Sequence, residues 1–294
     1  MAEKEPVVAS GSVSVPATAP AAPQTAPGAV RVSETVGAKR DVKPRNESVN
    51  RVLGLLSPLL ILVLWELGVL VGVIDDRFFP PPTQIASTFW EMLMSGELLR
   101  SLGVSLLRIA GGFLLGAIPG LLVGLAMGII KPVRMMLRPI ISATYPIPKL
   151  ALMPLIVLIF GYGENQKVIT IALGVFYIVL INTLAGVLNL DRIYMDVASN
   201  FGASRRDFYF KVALPGALPL IFAGIELGMG MALLLIVAAE MQGTLVGIGY
   251  MIWEAQALFA VKEMFVAFIL ISALGYVFAE LIASLQRRVI PWKM

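Results

Sequence analysis

From about residue 52 onward the chain alternates long apolar runs with short polar breaks. Six runs, about 52–74, 104–130, 133–160, 168–190, 214–239 and 264–285, each reach 18 residues or more. That is the length needed to cross roughly 30 Å of hydrocarbon. In lipid a backbone must satisfy its own hydrogen bonds, so each run predicts a transmembrane helix. Pro139, Pro146, Pro148 and Pro154 interrupt the third. Between the first two lies Phe79-Pro80-Pro81-Pro82-Thr83, then an amphipathic stretch to Met94. The spacing predicts a short interfacial helix there, with Thr83 as its N-cap. Residues 1–48 show no periodicity and are rich in Ala, Pro, Val, Ser and Thr. They are expected to form a disordered tail, and they carry no short apolar core of the signal-peptide kind.

Composition supports lipid as the solvent. Apolar residues make up 58% of the chain and charged residues 14%, against roughly 45–50% and about 25% in soluble proteins. Cysteine and histidine are both absent, which removes disulfides, thiolate nucleophiles, imidazole bases and most transition-metal sites. No G-x-x-x-x-G-K-[ST] occurs, so any nucleotide is expected on another chain. The net charge of +4 implies no nucleic-acid partner, because the cations sit beside spans. With the N-terminus inside, 17 of the 23 Lys and Arg fall on the cytoplasmic side. Only Arg77, Arg100, Lys167 and Lys262 fall outside. This imbalance predicts that both termini are cytoplasmic. Arg108 and Lys149 lie in or near spans.

Two spans carry glycine at four-residue spacing. The second has Gly112, Gly116, Gly120, Gly124 and Gly128, and the fifth has Gly224, Gly228 and Gly230. Such a stripe predicts close backbone approach by a neighbouring helix, with or without sliding during gating. Intramembrane carboxylates are costly unless they face protein or water. Glu240, near the outer end, is expected at a solvated interface. Glu226, nearer the inner half, could pair with a basic loop residue, and Glu66 reads as a packing partner, with a pathway role as the alternative. Arg108 is close enough to the outer face to snorkel, though it could instead attract an anion. Met229, Met231 and Met241, with Trp253, could line an adaptable cavity, although simple packing explains them equally. Together, Glu226, Met229, Met231 and Glu240 are the candidates for lining a translocation pathway. Gly243 to Tyr250 reads as a flexible outer loop.

The break between the fourth and fifth runs differs from the others. Residues 191–215 form the longest polar interruption among the spans, yet their composition is not that of a disordered segment. A helix over about 193–201 should stop at Gly202, which can take the left-handed turn. Ser204-Arg205-Arg206-Asp207 then reads as a capping box opening a second helix. That helix carries Phe208, Tyr209 and Phe210 before Leu214-Pro215 begins the fifth span. Two short helices with exposed aromatics and cations would make a rigid knob fitted to a groove in a partner.

These residues also carry a resemblance. Asp196-Val197-Ala198, Gly202, Val212 and Leu214-Pro215 are spaced like the E-A-A…G…I-x-L-P loop of ATP-binding-cassette importer permeases. Further motifs resemble the nitrate/sulfonate/taurine/bicarbonate permeases. They are Pro80-Pro81-Pro82, Ser105-Leu106-Leu107-Arg108, Pro146-Ile147-Pro148-Lys149, Phe160-Gly161-Tyr162-Gly163-Glu164, Val237-Ala238-Ala239-Glu240 and Gly247-Ile248-Gly249. Asp196 for Glu and Val197 for Ala are the departures. The resemblance implies an all-α polytopic fold with about six spans, a type I importer core, and a bacterial inner-membrane location. It implies a permease homodimer, two cytoplasmic ATPase subunits holding ATP-Mg, and an extracytoplasmic solute-binding protein, periplasmic or lipid-anchored. No cofactor is expected on this chain. The loop would be the coupling helix, with Asp196, Ala198, Phe201, Gly202, Ala203, Ser204 and Arg205 at or near the contact. The cargo would be a small, often anionic solute. A secondary transporter would instead need paired acids and bases in the spans. A membrane enzyme would need a nucleophile and a base.

Overall fold

A computed structural model of the chain describes residues 47–190 and 192–293. The expected tail at 1–48 lies outside the described residues except for its last two positions. Two compact units divide after residue 53. Among the described residues all regular structure is helical. The order is α1 (Glu47–Leu70), α2 (Pro82–Met94), α3 (Glu97–Ile129), α4 (Lys131–Thr144), α5 (Met153–Phe160), α6 (Glu164–Leu188), α7 (Arg192–Asn200), α8 (Arg205–Phe208), α9 (Leu214–Glu240), α10 (Ile248–Ala257) and α11 (Val261–Val289).

Four helices are long and apolar enough to span a membrane: α3, α6, α11 and the helix that ends with α9, which runs from Arg206 to Glu240. The expected third span is instead two pieces, Lys131–Thr144 and Lys149–Phe160, bent by 86°. Counted as one, they make a fifth span, and Leu56–Leu70 of α1 is a shorter apolar helix. The bend falls at Pro146 and Pro148, since a proline disfavours helix at the preceding residue and removes a donor. Lys149 closes the broken end. Its Nζ donates to the carbonyls of Thr144, Tyr145 and Ile147 at 3.2, 3.0 and 2.9 Å. It also lies 4.2 Å from the Tyr177 ring centroid. Lys149 is therefore committed to the helix end and an aromatic face.

Helices α3, α6 and α9 form the centre. The α3 glycine stripe faces α6 along its whole length. A methyl group added at Gly116 would sit 2.4 Å from the Ala172 carbonyl oxygen, and one at Gly128 would sit 2.6 Å from Val187 Cβ. Lipid offers no hydrophobic drive between helices, so this contact gains its stability from dispersion at close range. On α9, Gly224 and Gly228 pack on Asn182 and Val179 of α6, whereas Gly230 faces open space. The shared core includes Ile109, Ile171, Val175, Phe222, Leu235 and Ile236. A second cluster joins α2, α10 and α11 through Ile85, Met92, Ile252, Val266 and Leu270.

The start of α2 corrects the expectation for Thr83. The N-cap position is Pro81, with Pro82 in the first turn. Thr83 instead gives its backbone N–H and its hydroxyl to the Glu66 carboxylate, at 3.1 and 2.7 Å. Glu66 of α1 thus caps α2 from another helix, satisfying an orphan donor with an anion at the positive helix end. In the loop between them, hydrogen bonds from the Arg77 side chain hold Asp75 below the ordinary carboxylate range.

Candidate functional site

Two sites stand at opposite ends of the central helices. At the end where α3 and α6 terminate and α9 begins, α7 stops at Gly202 with φ of 69°. The Ala203 N–H donates to the Ala198 carbonyl at 2.9 Å, the six-to-one bond of a Schellman turn. Ser204 then accepts the Asp207 N–H at 3.1 Å and donates its hydroxyl to the Asp207 carboxylate at 2.5 Å. The return arm of the capping box therefore runs to the Ser204 side chain instead of its backbone. Asp207 also pairs with Lys211 at 2.7 Å.

The second half of the loop differs from two separate short helices. After α8 the chain continues through a wide π-helical turn, Tyr209–Ala213, directly into α9. Pro215 lies just beyond it. A proline ring clashes with the carbonyl four residues earlier in an ordinary helix, and the wider turn relieves that clash without breaking the rod. The loop is thus one short helix, α7, set by a glycine hinge on the extended end of a span. Its surface is apolar where water would be expected: Phe201 is 87% exposed, and Ile193, Tyr194 and Val197 are exposed as well. Asp196, Gly202, Ala203 and Ser204 are exposed, while Ala198, Leu214 and Pro215 are partly covered.

At the opposite end lies a buried charge cluster. Arg108 on α3 is 5% exposed and Glu240, the last residue of α9, is 0% exposed. The Arg108 guanidinium grips Glu164, which opens α6, through two bonds of 2.6 Å. Its third arm donates to Glu240 Oε1 at 2.7 Å and to the Val246 carbonyl at 2.7 Å. Ser105 donates to both Glu240 oxygens, at 2.8 and 2.9 Å, and accepts the Ile248 N–H at 2.9 Å. The Gly249 N–H reaches Glu240 Oε2 at 2.9 Å, so the carboxylate also caps α10. Lys167 completes the cluster, buried beside Glu164 at 3.5 Å and donating to the Gly163 carbonyl at 3.1 Å. Two cations and two carboxylates balance, with Arg108, Lys167 and Glu240 buried and Glu164 closing the cluster from the surface. Four elements, α3, α6, α9 and α10, are tied at one point.

Several expectations change here. Glu240 is not at a solvated interface, and Arg108 does not snorkel; each is the other's buried partner. The segment before α10 is not a loose loop, because Gly247, at φ of 139°, lies against Glu240, and an added methyl would meet its carboxyl carbon at 2.4 Å. Met229 belongs to the core, and Met231 packs beside it against Gly174. Neither joins Glu240 or Glu226 on one open path. Glu226 is exposed on α9 and makes no side-chain hydrogen bond or ion pair among the described residues, so the expected loop partner is absent. Sequence reasoning missed the cluster because its bonded members lie up to 143 positions apart. Their only trace was that Ser105, Arg108, Glu164, Glu240 and Gly249 all fall within short recurring motifs.

The arrangement defines a helical multi-pass membrane protein with an exposed apolar helix held on a glycine turn at one end and a clamp of ion pairs at the other. No group of three or more carboxylates placed to hold a metal ion occurs among the described residues. Residues 112–291 match the family described as the binding-protein-dependent transport system inner membrane component, and the chain belongs to it. It is an inner-membrane permease of ABC transport systems, a transport component and not an enzyme. Such permeases work with an ATPase and a solute-binding protein. The aliphatic sulfonates transport permease SsuC of Bacillus subtilis is 36% identical over 85% of this chain and 91% of its own. The taurine permease TauC of Escherichia coli is 34% identical over 85% and 92%. The riboflavin permease RibX of Chloroflexus aurantiacus is 34% identical over 86% and 96%.

Proposed function

We propose that the chain imports a small sulfonate-type anion, working as a homodimer with both termini in the cytoplasm and with ATP-Mg held on the partner ATPase. The observation that carries the coupling role is the exposed apolar face of α7, continued by Phe201 just past its end and fixed by the Gly202 turn. An apolar helix presented on a firm hinge is suited to a groove in another protein. The ATPase is the partner that must transmit force to this end of the spans. ATPase closure then moves α7, and the rigid link through the π-helical turn passes that motion into α9.

The face of α9 carrying Glu226, Leu227, Gly230 and Leu234 is uncovered in one chain. A second copy meeting it would complete the pathway, with Glu226 bathed in its water. For the solute, similarity to sulfonate and taurine permeases supports the sulfonate class. The 34% identity to a riboflavin permease supports a reading in which choice among solutes rests mainly with the binding protein.

Phe201→Asp tests the docking role, since so exposed a side chain supports little of the fold. Membrane insertion should persist while ATPase pull-down and uptake both fall at least tenfold. Normal values in both would remove α7 from the coupling role. Binding of taurine, alkanesulfonates, nitrate, bicarbonate and riboflavin by the cognate binding protein tests the solute class, and binding of riboflavin alone would refute it.

A further inference from the structure

Where α3 and α6 end, a cavity of about 370 Å³ opens between the first turn of α4 and the π-helical turn before α9. Lys131 and Arg134 line its polar part, with Tyr209, Leu188 and Leu190 opposite. An adjoining cavity of about 140 Å³ shares Ile129, Val187, Tyr209 and Ala213, and its remaining walls are Leu125, Phe210 and Leu214. No acidic residue lines either one. Together they form one amphipathic recess, cationic at the mouth and wholly apolar beyond it, at the level where the spans stop.

The two cations are not consumed by the fold. Arg134 spends one weak bond, 3.4 Å, on the Gly128 carbonyl, out of five donors. Lys131 has no hydrogen-bond or ion-pair partner among the described residues. The Tyr209 hydroxyl donates to the Ile129 carbonyl at 3.2 Å, which leaves its oxygen able to accept. A bilayer places phosphates at this depth and acyl chains beside them, and basic pockets between span ends suit anionic headgroups.

We propose that this recess is a binding site for an anionic phospholipid of the membrane, with its phosphate between Lys131 and Arg134 and an acyl chain along the Leu125–Leu214 wall. The lipid would rest against the same turn that joins α7 to α9, so its occupancy would stiffen that link.

The test uses the full purified chain in nanodiscs of phosphatidylcholine with or without an equal part of phosphatidylglycerol. Lipid retained after transfer to detergent is read by native mass spectrometry. Phosphatidylglycerol should be retained in preference, and the Lys131→Gln/Arg134→Gln variant should lose that preference by about tenfold or more. Lys131→Gln alone removes no hydrogen bond and should lose several-fold, which keeps the test valid if the double variant folds poorly. Arg138→Gln, on α4 but outside the lining, should retain lipid normally. Equal retention of both lipids, or an unchanged preference in both Lys131 variants, would overturn the site and leave the cations as helix-end complements. Displacement by millimolar inorganic phosphate would also overturn it, naming a free anion as ligand. The readout involves neither ATPase nor solute, so it stands apart from the transport reading.

Discussion

Replacing Glu240 by Gln asks whether the buried cluster holds the span ends together. The amide keeps the size of the side chain and removes its charge. Its geometry has no good orientation. Oε1 faces the Arg108 guanidinium at 2.7 Å and Oε2 faces the Gly249 N–H at 2.9 Å. Whichever way the amide turns, its NH₂ meets a donor. Arg108 keeps its two bonds to Glu164, but that residue is 63% exposed and neutralises the buried guanidinium less well. Breaking a buried pair costs about 3–5 kcal/mol, and the surviving Glu164 contact favours the lower end, about 3 kcal/mol. That is roughly a hundredfold in the folding equilibrium. Unfolding of the purified chain in bicelles by increasing dodecyl sulfate, followed by tryptophan fluorescence, reads the shift. Glu226→Gln, at an exposed and unpaired carboxylate, is the control and should stay within about 0.5 kcal/mol. Equal stability of the two variants would refute the reasoning, for the cluster would then be no more than a surface ion pair.

Two further substitutions probe the helices themselves. Gly116→Val places its methyls against the Ala172 carbonyl, so α3 and α6 must separate, costing about 1–3 kcal/mol in the same unfolding assay; a change below 0.5 kcal/mol would deny the close seam. Glu66→Ala uncaps α2 and should cost about 0.5–2 kcal/mol, with faster amide exchange at Thr83, and unchanged exchange there would count against the cap.

The span pattern was legible because lipid imposes a simple rule. A run of 18 or more apolar residues has few alternatives to a helix, so α3, α6, α9 and α11 lie close to where periodicity puts them. Gly202 and Ser204 were legible for a similar reason, since helix stops and starts are decided by backbone geometry within a few residues. The third span was only half legible. Its prolines signalled an interruption, but an 86° turn depends on how Lys149 gathers the loose carbonyls and packs on Tyr177 of another helix.

What the sequence determined by itself was the local chemistry: which stretches cross, where helices stop, and which helices can approach closely through glycine. The tertiary structure alone decided partners. Glu66 became a cap, and Arg108, Glu164 and Glu240 became one clamp. Pro215 was carried in a continuous rod by the turn before it. The physical reason is range. Helix formation and capping act over three to five residues, whereas a buried charge is satisfied by whatever the fold brings within about 3 Å, and here that was a residue more than a hundred positions away.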